Sequence, residues 1–269
     1  ARDAVATARL GIALGEEIKR EPDLARTWST IVRPAAVALE RIEAWGVPVS
    51  RDAIIAFDDY LGMKEVEAKA VLDSYGDTNW NSPMQVAALL FEQLKLPVIR
   101  MGDSGKPSTD SDTLETLAKK HPLPRALLDY RKVVKLRGTY ARGMLEHVRA
   151  DRIHPNIKLD GARSGRTSCT DPNLQNIPRA QSVEGKMARD CFAAPKGYTL
   201  LECDYSQLEL RIAAALSGDP EMRAIFDAGV DYHLRTAQLV SQTAWGIGPE
   251  QVEDKHRSQA KSFNFGLLY

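Results

Sequence analysis

The chain has 269 residues, room for one large or two ordinary domains with a real core. Its 36 Lys and Arg balance 36 Asp and Glu, so bulk charge selects no polyanion partner and a nucleic-acid reading must rest on local clusters. Cys169, Cys191 and Cys203 form no CxxC pair, and no apolar run approaches the roughly 18 residues of a membrane span, so a reduced intracellular protein with no membrane partner is expected.

Residues 1–45 read mostly as helix, with Ala, Leu and Ile at helical spacing and a break near Glu21-Pro22. The chain opens Ala1-Arg2-Asp3, with neither Met nor a signal peptide, and reads as cut from something longer. Gly46 to Ser50 is a short extended element, after which Ser50-Arg51-Asp52 opens a helix running to about Tyr75. Asn81-Ser82-Pro83 reads as another helix start, with Ser82 as N-cap and Pro83 at the first position. Met101 to Ser111, rich in Gly, Ser, Pro and Asp, reads as a mobile loop.

Pro124 to Ala150 forms one or two helices, with an apolar row at Leu127, Leu128, Val134, Met144, Leu145 and Val148. Its other faces carry seven Lys or Arg against Asp129 and Glu146, either a solvated surface or a polyanion contact. From Ile153 to Cys203 the texture changes to short β-like pieces and polar loops, and Tyr198 to Asp204 reads as a strand. Helix resumes at Ser206, stops at Gly218-Asp219-Pro220, and returns in two or three segments. The fold class expected is α+β, a mixed region after a mostly helical half.

The chemistry-bearing residues concentrate near the end. Asp204, at the end of the expected strand, suits a hard divalent cation, although such an acid also serves a turn or a helix dipole. Ser206-Gln207-Leu208-Glu209 matches a capping box, a complete structural account of Glu209; a carboxylate against a nucleotide sugar is the competing one. Arg257, Lys261, Phe265 and Tyr269 recur every four residues, so they share one side of a helix. Like charges at i,i+4 repel, with Glu253 expected to relieve them in part. A polyphosphate bridging the cations and a planar group on the rings would suit this ladder. His233 and Arg166 taken singly are unremarkable, and Asn173, Gln175 and Asn176 suit base-edge contacts or loop-stapling equally.

Together these motifs resemble the DNA polymerase I family, the family A DNA polymerases. Gly165-Arg166-Thr167-Ser168 with Asp171-Pro172-Asn173-Leu174-Gln175-Asn176-Ile177-Pro178 is similar to its primer-contacting palm segment. Asp204-Tyr205-Ser206-Gln207-Leu208-Glu209-Leu210-Arg211 resembles motif A, Arg257 through Tyr269 resembles motif B, and Asp231-Tyr232-His233 resembles the Asp-x-His before it. Asn81-Ser82-Pro83, Ser108-Thr109 with Leu114-Glu115, and Tyr130-Arg131 with Lys135 to Tyr140 resemble thumb signatures. Cys169 stands where the family commonly has Ser, and Arg163 adds a cation beside the primer loop.

The resemblance implies an incomplete right-hand polymerase, with helical thumb, mixed palm containing an antiparallel sheet, and helical fingers. Residues 1–30 would be the remnant of a 3′–5′ exonuclease-like domain, on the hint of Asp3, Ala4 and Thr7. Residues 31–150 would be palm entry and thumb, 151–205 palm, and 206–269 partial fingers. Asp204 and the Tyr205 carbonyl would bind two Mg2+ ions, with Asp204 and Lys261 catalytic. Gln207, Glu209, His233, Arg257, Lys261, Phe265 and Tyr269 would bind the deoxynucleoside triphosphate, with Glu209 as gate against a 2′-hydroxyl. Lys135, Arg137, Arg166, Asn173, Gln175 and Arg211 would contact primer-template DNA.

The reaction implied is template-directed transfer of a nucleotide to a primer 3′-hydroxyl, in the cytoplasm of a bacterium or of a phage-infected host. The family's motif C, a His-Asp-Glu, does not occur in the sequence. The isolated chain is therefore expected to be inactive, completed by a C-terminal palm and fingers segment in cis or as a second chain. The alternative is a non-catalytic primer-template-binding fragment, or one half of a split polymerase. Single-subunit RNA polymerases share the palm but lack the Glu gate, so Glu209 argues against them.

Overall fold

The structure is a computed structural model that describes residues 2–102 and 105–268. It divides into two compact units, Ala1–Leu200 and Leu201–Tyr269. The first begins with α1 (Arg2–Arg20) and α2 (Pro22–Thr27), separated at the expected break because Pro22 has no N–H to extend the α1 ladder. A π-helical turn at Trp28–Val32 leads into α3 (Arg33–Trp45), and none of these segments buries a residue. Gly46, at φ 69°, turns the chain sharply into β1 (Val47–Pro48); a Cβ there would meet the His154 ring at 2.7 Å.

α4 (Arg51–Asp73) starts where a helix is expected and is capped by Ser50, whose hydroxyl accepts the Ala53 N–H. α5 (Pro83–Ala87) starts at Ser82 in the same way, and a π-helical turn at Ala88–Gln93 extends it. In the expected loop, Met101 bridges Pro107, residues 103 and 104 lie outside the described residues, and Asp110 caps α6 (Ser111–Leu117). α7 (Pro122–Leu136) runs through a π-helical stretch, Arg137–Arg142, into α8 (Gly143–Glu146). β2 (Val148–Arg149), β3 (Arg152–Ile153), β4 (Asn156–Lys158) and β5 (Ser168–Thr170) are all short. β4 and β5 lie where short strands are expected, whereas β2 falls in the stretch expected to stay helical to Ala150, because α8 ends at Glu146 and Val148 pairs with Ile153 instead. They form an antiparallel sheet of order β1-β3-β2, with Val47 and Val148 both opposite Ile153, and a β4-β5 pair with Ile157 opposite Cys169. α9 (Val183–Asp190) was not expected; its polar sequence conceals a buried Gly185 and Ala188. The architecture is α+β, mostly helical with small antiparallel sheets.

α4 is the spine of this unit. Ile54, Phe57 and Leu61 enter one cluster with Tyr140, Met144 and Ile153, while Leu72 enters a second with Trp80, Leu90, Leu114 and Leu127. The cations of residues 124–150 mostly find carboxylates within the unit. Arg137 reaches Asp58 at 2.7 Å and Glu65 at 2.9 Å, Arg142 reaches Asp58 at 3.3 Å, and Arg125 pairs with Asp129. Arg131, half-buried, donates to the Thr109 carbonyl. The local surplus is therefore largely internal bonding.

The second unit contains α10 (Leu208–Ser217), α11 (Pro220–Asp227), α12 (Tyr232–Trp245) and α13 (Asp254–Leu268). The expected strand at 198–204 is not one: the segment is irregular, with Leu201 86% exposed and Cys203 on the surface. No described segment offers it the hydrogen-bonding ladder that defines a strand. Cys169, Cys191 and Cys203 are all unpaired with one another, as expected. Among the described residues no helix is long and apolar enough to cross a membrane.

Phe57 is fully buried in the first cluster. Phe57→Ala is expected to cost about 3–5 kcal/mol, read as a lower urea midpoint; a loss below 1 kcal/mol would mean that the cluster collapses around the gap.

Candidate active site

In α12 the buried residues are His233, Ala237 and Ser241, and in α13 they are His256, Ala260 and Asn264. Each set is an i, i+4, i+8 row, and these helices pack on each other through rows of small and polar residues. In α13 the ladder Arg257, Lys261, Phe265 is offset by one residue from the buried row. One residue is about 100° of helix, so burying 256, 260 and 264 holds 257, 261 and 265 at the edge of the packed face. They line a pocket of about 480 Å³ with Asp204, Tyr205, Ser206, Gln207, Leu208, Glu209 and His233. The pocket thus gathers the residues expected to bind nucleotide, except Tyr269, which lies outside the described residues.

Two local expectations are corrected. α10 begins at Leu208, not Ser206, and its N-cap is Gln207 at φ 55°, ψ 39°, without a side-chain cap bond. The turn at 206–207 occupies the position where the capping box would have begun. Gln207 is held in this left-handed conformation because its side chain is used elsewhere: Nε2 donates to Asp231 at 2.6 Å and Oε1 accepts the Tyr232 N–H at 3.0 Å. Glu253 does not relieve Arg257; its carboxylate pairs with Lys255 at 2.8 Å. Arg257 is neutralised by Asp231 at 2.7 Å.

Asp231, not selected from the sequence as a site residue, is the hub. Its Oδ1 caps α12 by accepting the Leu234 N–H, and its Oδ2 accepts from both Gln207 and Arg257. Burial opposes its ionisation, but the Arg257 guanidinium and the Leu234 N–H outweigh this and hold the carboxyl below the usual range. The same pair raises Arg257. The available signal was its place just before an amphipathic helix, an N-cap position.

His233 is 3% exposed, and burial pushes its pKa down, with Arg257 and Lys261 adding to the effect and Asp231 opposing it. Its ring lies 5.6 Å from that of Phe265, and the Lys261 ammonium lies 5.9 Å from the Phe265 centroid. Arg211 donates to the Ser206 carbonyl at 2.9 Å and stacks on Phe226 at 4.6 Å, so it braces the turn carrying Gln207. Among the described residues no three His, Cys, Asp or Glu side chains converge as a metal cluster.

The expected DNA-contacting residues of the first unit differ in what they do there. Lys135 and Arg166 are exposed, whereas Arg137 is engaged by Asp58 and Glu65. Asn173 accepts the Gln175 N–H, and the Gln175 amide donates to Thr167 at 2.7 Å, so both staple their loop. The Cys169 thiol donates to the Pro172 carbonyl and accepts the Leu174 N–H, two bonds that a serine hydroxyl could also make.

Asp231→Asn keeps the cap but removes the charge opposite Arg257. It is expected to cost the unit about 1 kcal/mol at pH 7, a modest value because both partners are partly exposed. The depressed folded pKa means that this stabilisation is complete above the ordinary carboxylate range, about 4, and is lost as pH falls through the lower folded value. Melts of both proteins should therefore converge in acid; a gap that persisted there would exclude the charge as its source.

The sequence pattern described as DNA polymerase family A matches residues 60–269. DNA polymerase I of Pseudomonas aeruginosa is 39% identical over 100% of this chain and 30% of its own length, and that of Bacillus subtilis is 36% identical with the same coverage. The thermostable DNA polymerase I of Thermus aquaticus is 34% identical over 99% of this chain and 32% of its own length. The chain thus spans about a third of these relatives. A solved structure of the polymerase domain of Pol1 from M. smegmatis, in complex with DNA primer-template and dNTP, superposes with a TM-score of 0.83 at 31% identity, covering 98% of this chain and 46% of that one. With the match extending over most of its length, the chain belongs to DNA polymerase family A.

Proposed function

We propose that this chain is the part of a DNA-directed DNA polymerase that receives the incoming deoxynucleoside triphosphate and grips primer-template DNA. The observation that carries the reading is the pocket lined at once by Asp204, Glu209, His233, Arg257, Lys261 and Phe265. Two cations one helical turn apart suit a polyphosphate, and an aromatic ring one turn further suits a sugar or base. Under this reading residues 31–150 are palm entry and thumb, 151–205 palm, and 206–269 partial fingers, with 1–30 left from an exonuclease-like domain. Primer-template would be gripped through exposed cations such as Lys135 and Arg166, while Asn173 and Gln175 shape the loop between them and the primer.

The donor chemistry fits Mg2+: the Asp204 carboxylate and the main chain at Tyr205 supply hard oxygen, and triphosphate oxygens would complete the set. When bound, Mg2+ stabilises charge on the reacting phosphates and lowers the pKa of the primer hydroxyl. The protein's own part is orientation and charge. Arg257, released from Asp231 by a competing phosphate, and Lys261 would neutralise the phosphate tail. Lys261 would carry a proton toward the departing pyrophosphate oxygen, Glu209 would occupy the space of a 2′-hydroxyl, and Phe265 would lie under the sugar.

Binding of a fluorescent deoxynucleoside triphosphate to this chain, with Mg2+, tests the reading directly. Arg257→Ala and Lys261→Ala are each expected to weaken binding several-fold, and identical affinities would refute the pocket assignment. In a chain carrying the remaining segments of its relatives, Glu209→Ala should let primer extension accept ribonucleotides; unchanged sugar selectivity would leave Glu209 without a gating role. In the same chain Lys261→Ala should slow the single-turnover chemical step far more than it raises the nucleotide binding constant. Equal effects on both would reduce Lys261 to a charge clamp.

A further inference from the structure

The buried row of α13 ends in a polar side chain that packing alone does not explain. Asn264 is 7% exposed and faces two buried or half-buried partners on α12. Its Nδ2 lies 3.0 Å from His233 Nδ1 and 3.1 Å from Thr236 Oγ1, while the Thr236 hydroxyl itself donates to the Tyr232 carbonyl at 2.9 Å. This last bond fixes the polarity of the rest. With its only proton directed at Tyr232, Thr236 Oγ1 can only accept from Asn264, so the amide must turn its NH2 group toward it. The second N–H of that group then points at His233 Nδ1, which must be an unprotonated acceptor. A neutral imidazole with an acceptor at Nδ1 carries its proton on Nε2.

We infer that Asn264 is a positioning residue that holds His233 in its neutral Nε2–H tautomer, making it a hydrogen-bond donor of fixed direction for an anionic oxygen in the pocket. The inference deepens the nucleotide reading and rests on it for the identity of that oxygen, a phosphate oxygen of the triphosphate. The surroundings agree. Protonation at Nδ1 would set an N–H against the Asn264 N–H, and the groups acting on His233 from the cap of α12 and from α13 are Asp231, Arg257, Lys261 and the Phe265 ring. The two cations disfavour imidazolium, and the one carboxylate is already engaged by Arg257 and Gln207. His233 therefore contributes a dipole, with no net charge, to a pocket that already has two cations.

Nitrogen NMR of the imidazole rings tests the tautomer without any nucleotide. At pH 7 the wild-type chain should give His233 with a protonated Nε2 and an unprotonated Nδ1; the opposite tautomer, or an imidazolium, overturns the inference. Asn264→Leu should release the constraint and give a tautomer mixture, and Asn264→Asp, which places an acceptor against Nδ1, should protonate that nitrogen and raise the His233 titration midpoint. A wild-type spectrum retained in both variants also overturns it. In triphosphate binding, His233→Ala and Asn264→Leu are each expected to lose about tenfold, with no further loss when combined. A loss in His233→Ala alone refutes the relay. No loss in either, with the Nε2–H form intact in the wild type, refutes the phosphate site instead.

Discussion

The second unit depends on one carboxylate. Asp231 accepts from the Leu234 N–H, the Gln207 amide and the Arg257 guanidinium, and so ties the start of α12, the turn before α10 and the first ladder cation of α13. Among the described residues no apolar cluster performs this role in the unit: the buried helix positions are Leu210, Ala214, His233, Ala237, Ser241, His256, Ala260 and Asn264, mostly small or polar. Where little apolar area is available for burial, directional bonds to a charged group supply the specificity of assembly. The turn bearing Gln207 and the helix bearing Lys261 are both braced from this centre.

The chemistry of the pocket follows from helix geometry. Burial of 256, 260 and 264 presents 257, 261 and 265 without any dedicated loop, so shape and function derive from adjacent rows of one helix. This accounts for the unusual composition of the buried row: a bulkier apolar stripe would move α12 away and carry His233 out of reach of Asn264. The same closeness determines the protonation of the histidine, because two buried polar groups at 3.0 Å must be complementary.

Much of this was legible beforehand, where a local rule acts alone. Ser50 and Ser82 open helices because a hydroxyl before a helical run meets an orphan amide, and Pro22 breaks one because it lacks an N–H. The four-residue ladder also needed only helical spacing. What escaped depends on partners distant in sequence. The Ser206 cap lost to a turn because the Gln207 side chain is drawn to residues 24 and 25 positions away. The alternation at 198–204 reads as a strand, but a strand also requires a neighbour. Arg137 read as a surface cation because Asp58 and Glu65 lie more than 70 positions earlier. Asn264 gave no signal, since one asparagine in a helix has no period.

The long helix of the first unit has a mechanical consequence. Phe57 and Leu72 are separated by about 22 Å of α-helix, and each is locked into a different apolar cluster. A rod anchored at both ends cannot fray from one without loosening its grip on the other. The two clusters should therefore melt as one cooperative block, with the amides of α4 among the slowest in the unit to exchange with solvent deuterium.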